Sequence, residues 1–181
     1  MCGIVGIIRK NSSVEKEELT EMNNTQIHRG PDGEGYYTYK NVGFAHRRLS
    51  IIDIESGHQP MSTNNNNYWI TYNGELYNYL ELKSELETKG HVFSTKSDTE
   101  VVVYAYKEWG KECLNKFRGM FAFAIHDKEK NIVFIARDQF GIKPLVYRTS
   151  KDFFAFSSEI KALTKVIGSP LVGSLKSLDL Y

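Results

Sequence analysis

Residues 120–138, MFAFAIHDKEKNIVFIARD, constrain the fold of this chain more than any other stretch. Two apolar runs flank a charged turn, which predicts two strands folding back on each other as a hairpin. Near the N-terminus, CGIVGII (2–8) reads as a buried strand, and near the C-terminus DFFAFSSE (152–159) reads as one more, followed by a short helix over EIKAL (159–163). Short strands are expected over 36–45 and 49–54, around the pair Arg47–Arg48, and over YWITYN (68–73), which follows the polar loop TNNNN.

Helical signals fill the middle. Over 78–89, Tyr79, Leu82 and Leu86 share one face and Gly90 marks the stop. Ser97 and Glu100 form a capping box ahead of a helix that turns Val101, Tyr104, Ala105 and Trp109 to a core and ends before Gly110. Ser12 with Glu15 predicts another capped start, with Leu19 and Met22 facing toward Ile27, and HRGPDGEG (28–35) reads as a turn-rich loop. Strands at both ends and helices between do not alternate as βαβ units do. That order favours mainly antiparallel sheets with helices packed outside.

Charge narrows the partners. A formal net charge of +1 over 181 residues gives no field for nucleic acid or an anionic membrane, and no apolar run reaches the roughly 18 residues of a membrane span. The short run from Ile4 to Ile8 is followed by charge, unlike a secretory signal. Two cysteines make no disulfide framework, so a cytoplasmic setting is expected.

One of those cysteines follows Met1. Removal of Met1 leaves Cys2 with a free α-amine, whose pKa of about 7.7–8.0 lies near the thiol's ~8.5. Nucleophile and base then sit on one residue; on position alone, a buried structural cysteine is the commoner reading. HRRLSIID (46–53) is a solvated charge pair or a bidentate clamp for a carboxylate. YNGELYN (72–78) holds a type I′ turn, or an oxyanion hole made by the Asn73 amide and the Gly74 N–H. SDTE (97–100) is a helix cap, or places Asp98 to meet an ammonium. Taken together, the functional readings describe a site for an α-amino acid bearing a side-chain amide. His28, His46, His58, His91 and His126 lack metal-ligand spacing, and Cys113 reads as helix core.

CGI, HRGPD, RLSIID, NGELYN, SDTEV, GMFAFAIHD and ARDQFGIKPL, in that order and spacing, resemble the glutaminase domain of glutamine-dependent asparagine synthetases. Those are class II glutamine amidotransferases of the N-terminal-nucleophile hydrolase fold. The resemblance covers residues 2–163. It implies an α+β fold, a four-layer αββα sandwich of two mainly antiparallel sheets. It also implies that Cys2 is the nucleophile, Asn73 and Gly74 the oxyanion hole, Arg48 the holder of the glutamine α-carboxylate, and Glu75 and Asp98 the holders of its α-ammonium. Backbone groups near Leu49 and Ile51 would line the pocket, and Arg47 falls outside the pattern. The partners implied are glutamine and a synthetase domain or chain that receives ammonia; a homodimer is left open. No cofactor is expected in this domain. ATP and magnesium belong to the synthetase domain, whose Ser-Gly-Gly-x-Asp-Ser-like loop is not found in this chain. The tail 164–181 does not read as the expected linker.

Overall fold

The computed structural model describes residues 1–49 and 57–166. Its strands are β1 (Gly3–Arg9), β2 (Gly33–Tyr39), β3 (Val42–Arg48), β4 (Met61–Ser62), β5 (Tyr68–Leu76), β6 (Gly119–Asp127), β7 (Ile132–Arg137), β8 (Val146–Thr149) and β9 (Phe153–Ser157). Its α-helices are α1 (Lys16–Asn24), α2 (Tyr79–Thr88), α3 (Asp98–Trp109) and α4 (Ile160–Leu163). One sheet has the order β2-β3-β1-β9-β8 and the other β4-β5-β6-β7, with every strand pair antiparallel.

The two-residue period of the strands explains the layering. Along β6, Phe121, Phe123 and Ile125 pack with Leu82 and Leu86 of α2 and Val101 and Ala105 of α3. The alternate residues Ala122 and Ala124 meet Ile4, Phe44 and Phe156 of the other sheet. Along β1, Val5 and Ile7 turn outward to Leu19 and Met22 of α1 and Leu163 of α4. The order is therefore helices, sheet, sheet, helices. A strand buried on both faces reads as a continuous apolar run, which is why CGIVGII lacks alternation. Phe123 is fully buried, and Phe123→Ala should cost about 3–5 kcal/mol.

The 120–138 hairpin, the strand at 2–8 and the helices at 78–89 and 97–110 form where the sequence places them. Other expectations are corrected. Ser12 caps nothing: α1 starts at Lys16 with Glu15 at its N-cap and no side-chain cap bond, and Ile27 lies exposed in a 3₁₀ turn. Ser97 does cap α3, accepting from the Thr99 N–H, but Glu100 instead takes the backbone N–H groups of Ser94 and Thr95. The second half of HRGPDGEG is the start of β2, not loop. A Cβ on Gly35 would lie 2.0 Å from the Gln59 carbonyl oxygen, so the glycine admits a neighbouring strand of chain rather than a turn. Asn73-Gly74 is not a hairpin turn, because β5 runs straight through it to Leu76. The short strands β4 and β8 carried no sequence signal. The strand expected over 49–54 lies largely, and Ile51 and the end of the tail lie wholly, outside the described residues. Among the described residues no helix is long and apolar enough to cross a membrane.

Candidate active site

At one end of the sandwich the two sheets open onto a cleft of about 180 Å³. Strand alternation decides what faces it. Ile4 lies between the sheets, so Cys2, two residues earlier, points to the same side. Gly3 pairs with Arg47 across β1 and β3, which brings Cys2 level with Arg48. Phe44, His46 and Arg48 share the face between the sheets, and Arg48 lines the cleft. Arg47 takes the opposite face, where it donates to the Asn23 carbonyl and pairs with Glu34 at 2.7 Å. One residue of register thus separates a cleft arginine from a structural one.

The sulfur of Cys2 accepts the Leu49 N–H at 3.5 Å, and the Arg29 Nε donates to the Cys2 carbonyl at 3.0 Å. Arg29 is itself held by Glu159 at 3.3 Å. Burial pushes the Cys2 thiol up, against the lowering pull of the Leu49 N–H, the chain's amino group, Arg48 and Lys143. The thiol therefore rests protonated, and attack requires a base.

Asn73 faces the other sheet beside Thr71, whose Oγ1 bonds to the Ala45 carbonyl. Asn73 is 2 % exposed, and among the described residues its buried Nδ2 has no hydrogen-bond partner. An unmade buried bond of this kind costs about 1–3 kcal/mol, and a cleft that presents such a donor is set to receive an acceptor. The Tyr72 N–H donates to Gln59 Oε1 at 2.7 Å and the Leu76 N–H to Asp98 Oδ2 at 2.9 Å. By the same alternation the Gly74 N–H, between them, points to that edge of β5. Position 74 admits no side chain: a Cβ would lie 2.6 Å from the Met120 carbonyl oxygen and 2.7 Å from the Tyr72 ring.

Asp98 opens α3 and is buried. Burial raises its carboxyl, opposed by the Leu76 N–H and by the Tyr72 hydroxyl, which donates at 3.0 Å. Burial and then the Asp98 charge raise Glu75, and Lys143 pulls it down. Two carboxylates of linked charge at one end of a cleft suit a cationic group. The structure thus gathers Cys2, Arg48, Leu49, Asn73, Gly74, Glu75 and Asp98 around one cleft. Sequence reasoning assigned nothing to Arg29, Gln59, Tyr72 or Lys143. Arg29 and Lys143 sit in the motifs HRGPD and ARDQFGIKPL, which carry the resemblance without marking these two residues; Gln59, which also donates to Thr99 Oγ1 at 3.2 Å and so ties β5 to α3, carries no motif signal. Among the described residues no group of histidine, cysteine and carboxylate side chains is arranged to hold a metal.

A family model described as the glutamine amidotransferase domain matches residues 1–181. The chain is 50 % identical to asparagine synthetase [glutamine-hydrolyzing] 1 of Bacillus subtilis over 167 residues, covering 90 % of this chain and 26 % of the relative. It is 43 % identical to asparagine synthetase [glutamine-hydrolyzing] 3 of the same organism and 40 % identical to asparagine synthetase [glutamine-hydrolyzing] 2 of Oryza sativa subsp. japonica, covering 27 % and 28 % of those proteins. The chain thus spans about a quarter of the length of these relatives. Among solved structures, the glutamine phosphoribosylpyrophosphate amidotransferase from B. subtilis shares the fold, with a TM-score of 0.72 at 24 % identity over 90 % of this chain and 43 % of that one.

Proposed function

The chain belongs to the glutamine amidotransferase domain family, and from that premise we propose that Cys2 hydrolyses glutamine to glutamate and ammonia through a glutamyl thioester. The α-amine exposed by loss of Met1 takes the thiol proton. The sulfur then attacks the side-chain amide carbon, and the Asn73 Nδ2 and the Gly74 N–H receive the tetrahedral oxyanion. The ammonium formed on the α-amine returns its proton to the leaving nitrogen, the C–N bond breaks and ammonia departs. Water attacks the thioester, the C–S bond breaks, and glutamate leaves with the thiol restored. Arg48 holds the α-carboxylate, as a planar guanidinium suits. Glu75 and Asp98 hold the α-ammonium, and the backbone at Leu49 lines the pocket.

The buried Asn73 Nδ2, unpartnered among the described residues and on the cleft that Cys2 also lines, carries this reading. Release of glutamate from glutamine tests it. The parent should release glutamate and Cys2→Ala should not; parent-like release by Cys2→Ala refutes the nucleophile assignment.

The names of the longer relatives support passage of the ammonia to a synthetase part outside residues 2–163, with asparagine as product. ATP and magnesium would act in that part, and no step above runs through them.

A further inference from the structure

Lys143 is 6 % exposed and lines the same cleft as Cys2. No ion pair joins its ammonium to a carboxylate among the described residues. A buried ammonium favours an anion nearby, and the cleft groups it acts on are the Glu75 carboxyl and the Cys2 thiol. The chain around it is built to keep it there. Asp138, also 6 % exposed, accepts the backbone N–H groups of Phe140, Ile142 and Lys143 at 3.1, 3.0 and 3.1 Å, and that of Phe121 on β6 at 3.2 Å. Arg137 Nε donates to the Lys143 carbonyl at 2.7 Å. Both sides of the segment are thereby pinned, so the lysine is presented by a rigid loop.

We propose that Lys143 is a positioning residue for the nucleophile: its ammonium steadies negative charge on the Cys2 sulfur. Among the described residues, the other charged or titratable groups around that sulfur are Arg29 before β2, Arg48 on β3, Tyr72 and Glu75 on β5, Asp98 on α3 and the chain's amino group. In the proposed complex Arg48 is taken by the substrate carboxylate, and Glu75 and Asp98 by the substrate ammonium. With Arg29 paired to Glu159, Lys143 is then the side-chain cation that joins the α-amine at the reacting end. It already pulls the Cys2 thiol and the Glu75 carboxyl down.

The inference rests on the Cys2 reading, and its test does not depend on glutamine. In protein freed of Met1, the rate at which iodoacetamide alkylates Cys2 is followed against pH by peptide mass, with buried Cys113 as internal control. Lys143→Met should move the Cys2 midpoint up by on the order of one unit, making alkylation near neutral pH roughly tenfold slower. Lys143→Arg should keep the parent midpoint. Glutamine turnover by Lys143→Met should fall in kcat with KM little changed. Lys143→Gln stands in if the methionine variant does not fold. An unchanged midpoint in a folded charge-removing variant overturns the proposal, as does an arginine variant that behaves like the methionine one. Failure of the parent to release glutamate would instead overturn the Cys2 reading, and the alkylation comparison would still decide the role of Lys143.

Discussion

The backbone N–H of Leu49 points at the Sγ of Cys2 across 3.5 Å, joining the residue just past β3 to the residue just before β1. The contact follows from the pairing of Gly3 with Arg47: two strands in fixed register must bring their adjoining residues together at the sheet's end. The bond favours charge on the sulfur, while burial disfavours it. A thiol so balanced stays protonated until a base acts.

Asn73→Ala should lower kcat for glutamine hydrolysis by about 10²–10³ with little change in KM. Its Nδ2 makes no hydrogen bond among the described residues, so thermal stability should not fall by the amount expected for a lost hydrogen bond. Steady-state kinetics beside a thermal melt check both; parent-like kcat would remove Asn73 from the oxyanion hole.

Arg47→Ala and Arg48→Ala should separate stability from binding. Arg47 is bonded to Asn23 and paired with Glu34, so its loss should lower stability and leave KM for glutamine near the parent value. Loss of Arg48 should raise KM by on the order of 10–10²-fold. The reverse pattern in the two variants contradicts the register argument.

The raised pKa values of Asp98 and Glu75 set a pH dependence. A carboxyl raised on folding binds more protons folded than unfolded, so its contribution to stability is fullest at low pH and is lost as pH rises through the raised value. At neutral pH the buried Asp98 charge therefore costs stability. Asp98→Asn should melt no lower than the parent at pH 7 while KM for glutamine rises. The parent's KM should rise on acidification sooner than an ordinary carboxylate would allow. A lower melting temperature with unchanged KM would assign Asp98 a structural role instead.

His46 gives the opposite sign. Burial, and then the Arg48 charge, lower it to about 3. Between that value and the unfolded histidine's, the unfolded chain binds more protons, so stability falls as pH drops below about 6.5, by up to roughly 1.4 kcal/mol per pH unit. Urea denaturation at pH 7 and pH 5 should show a shallower loss in His46→Gln than in the parent; equal losses would mean that the His46 proton does not contribute.

The sequence made the layers legible because hydrophobic period reports which face is buried: the β6–β7 hairpin, β1, α2 and α3 all follow from it. The site was legible as motifs, but its geometry was not. The motif resemblance selects Arg48 over Arg47, but the physical reason lies in the pairing of Gly3 with Arg47, which no local pattern encodes. Asn-Gly reads as a turn because its local chemistry suits one, and the long-range pairing of Gly74 with Phe121 overrides that preference. Gln59 and Tyr72 act through contacts with residues 13–40 positions away, which no short motif encodes.

The central claim, that Cys2 acts as an N-terminal nucleophile, is tested most directly by intact mass and glutamate release measured on the same preparations, with Met1 present and with Met1 removed. While Met1 remains attached, the nitrogen of Cys2 is a peptide amide and cannot serve as the base. Glutamate release should scale with the fraction of protein lacking Met1 and vanish when all of it retains the residue. Full release from protein whose mass still includes Met1 would contradict the mechanism.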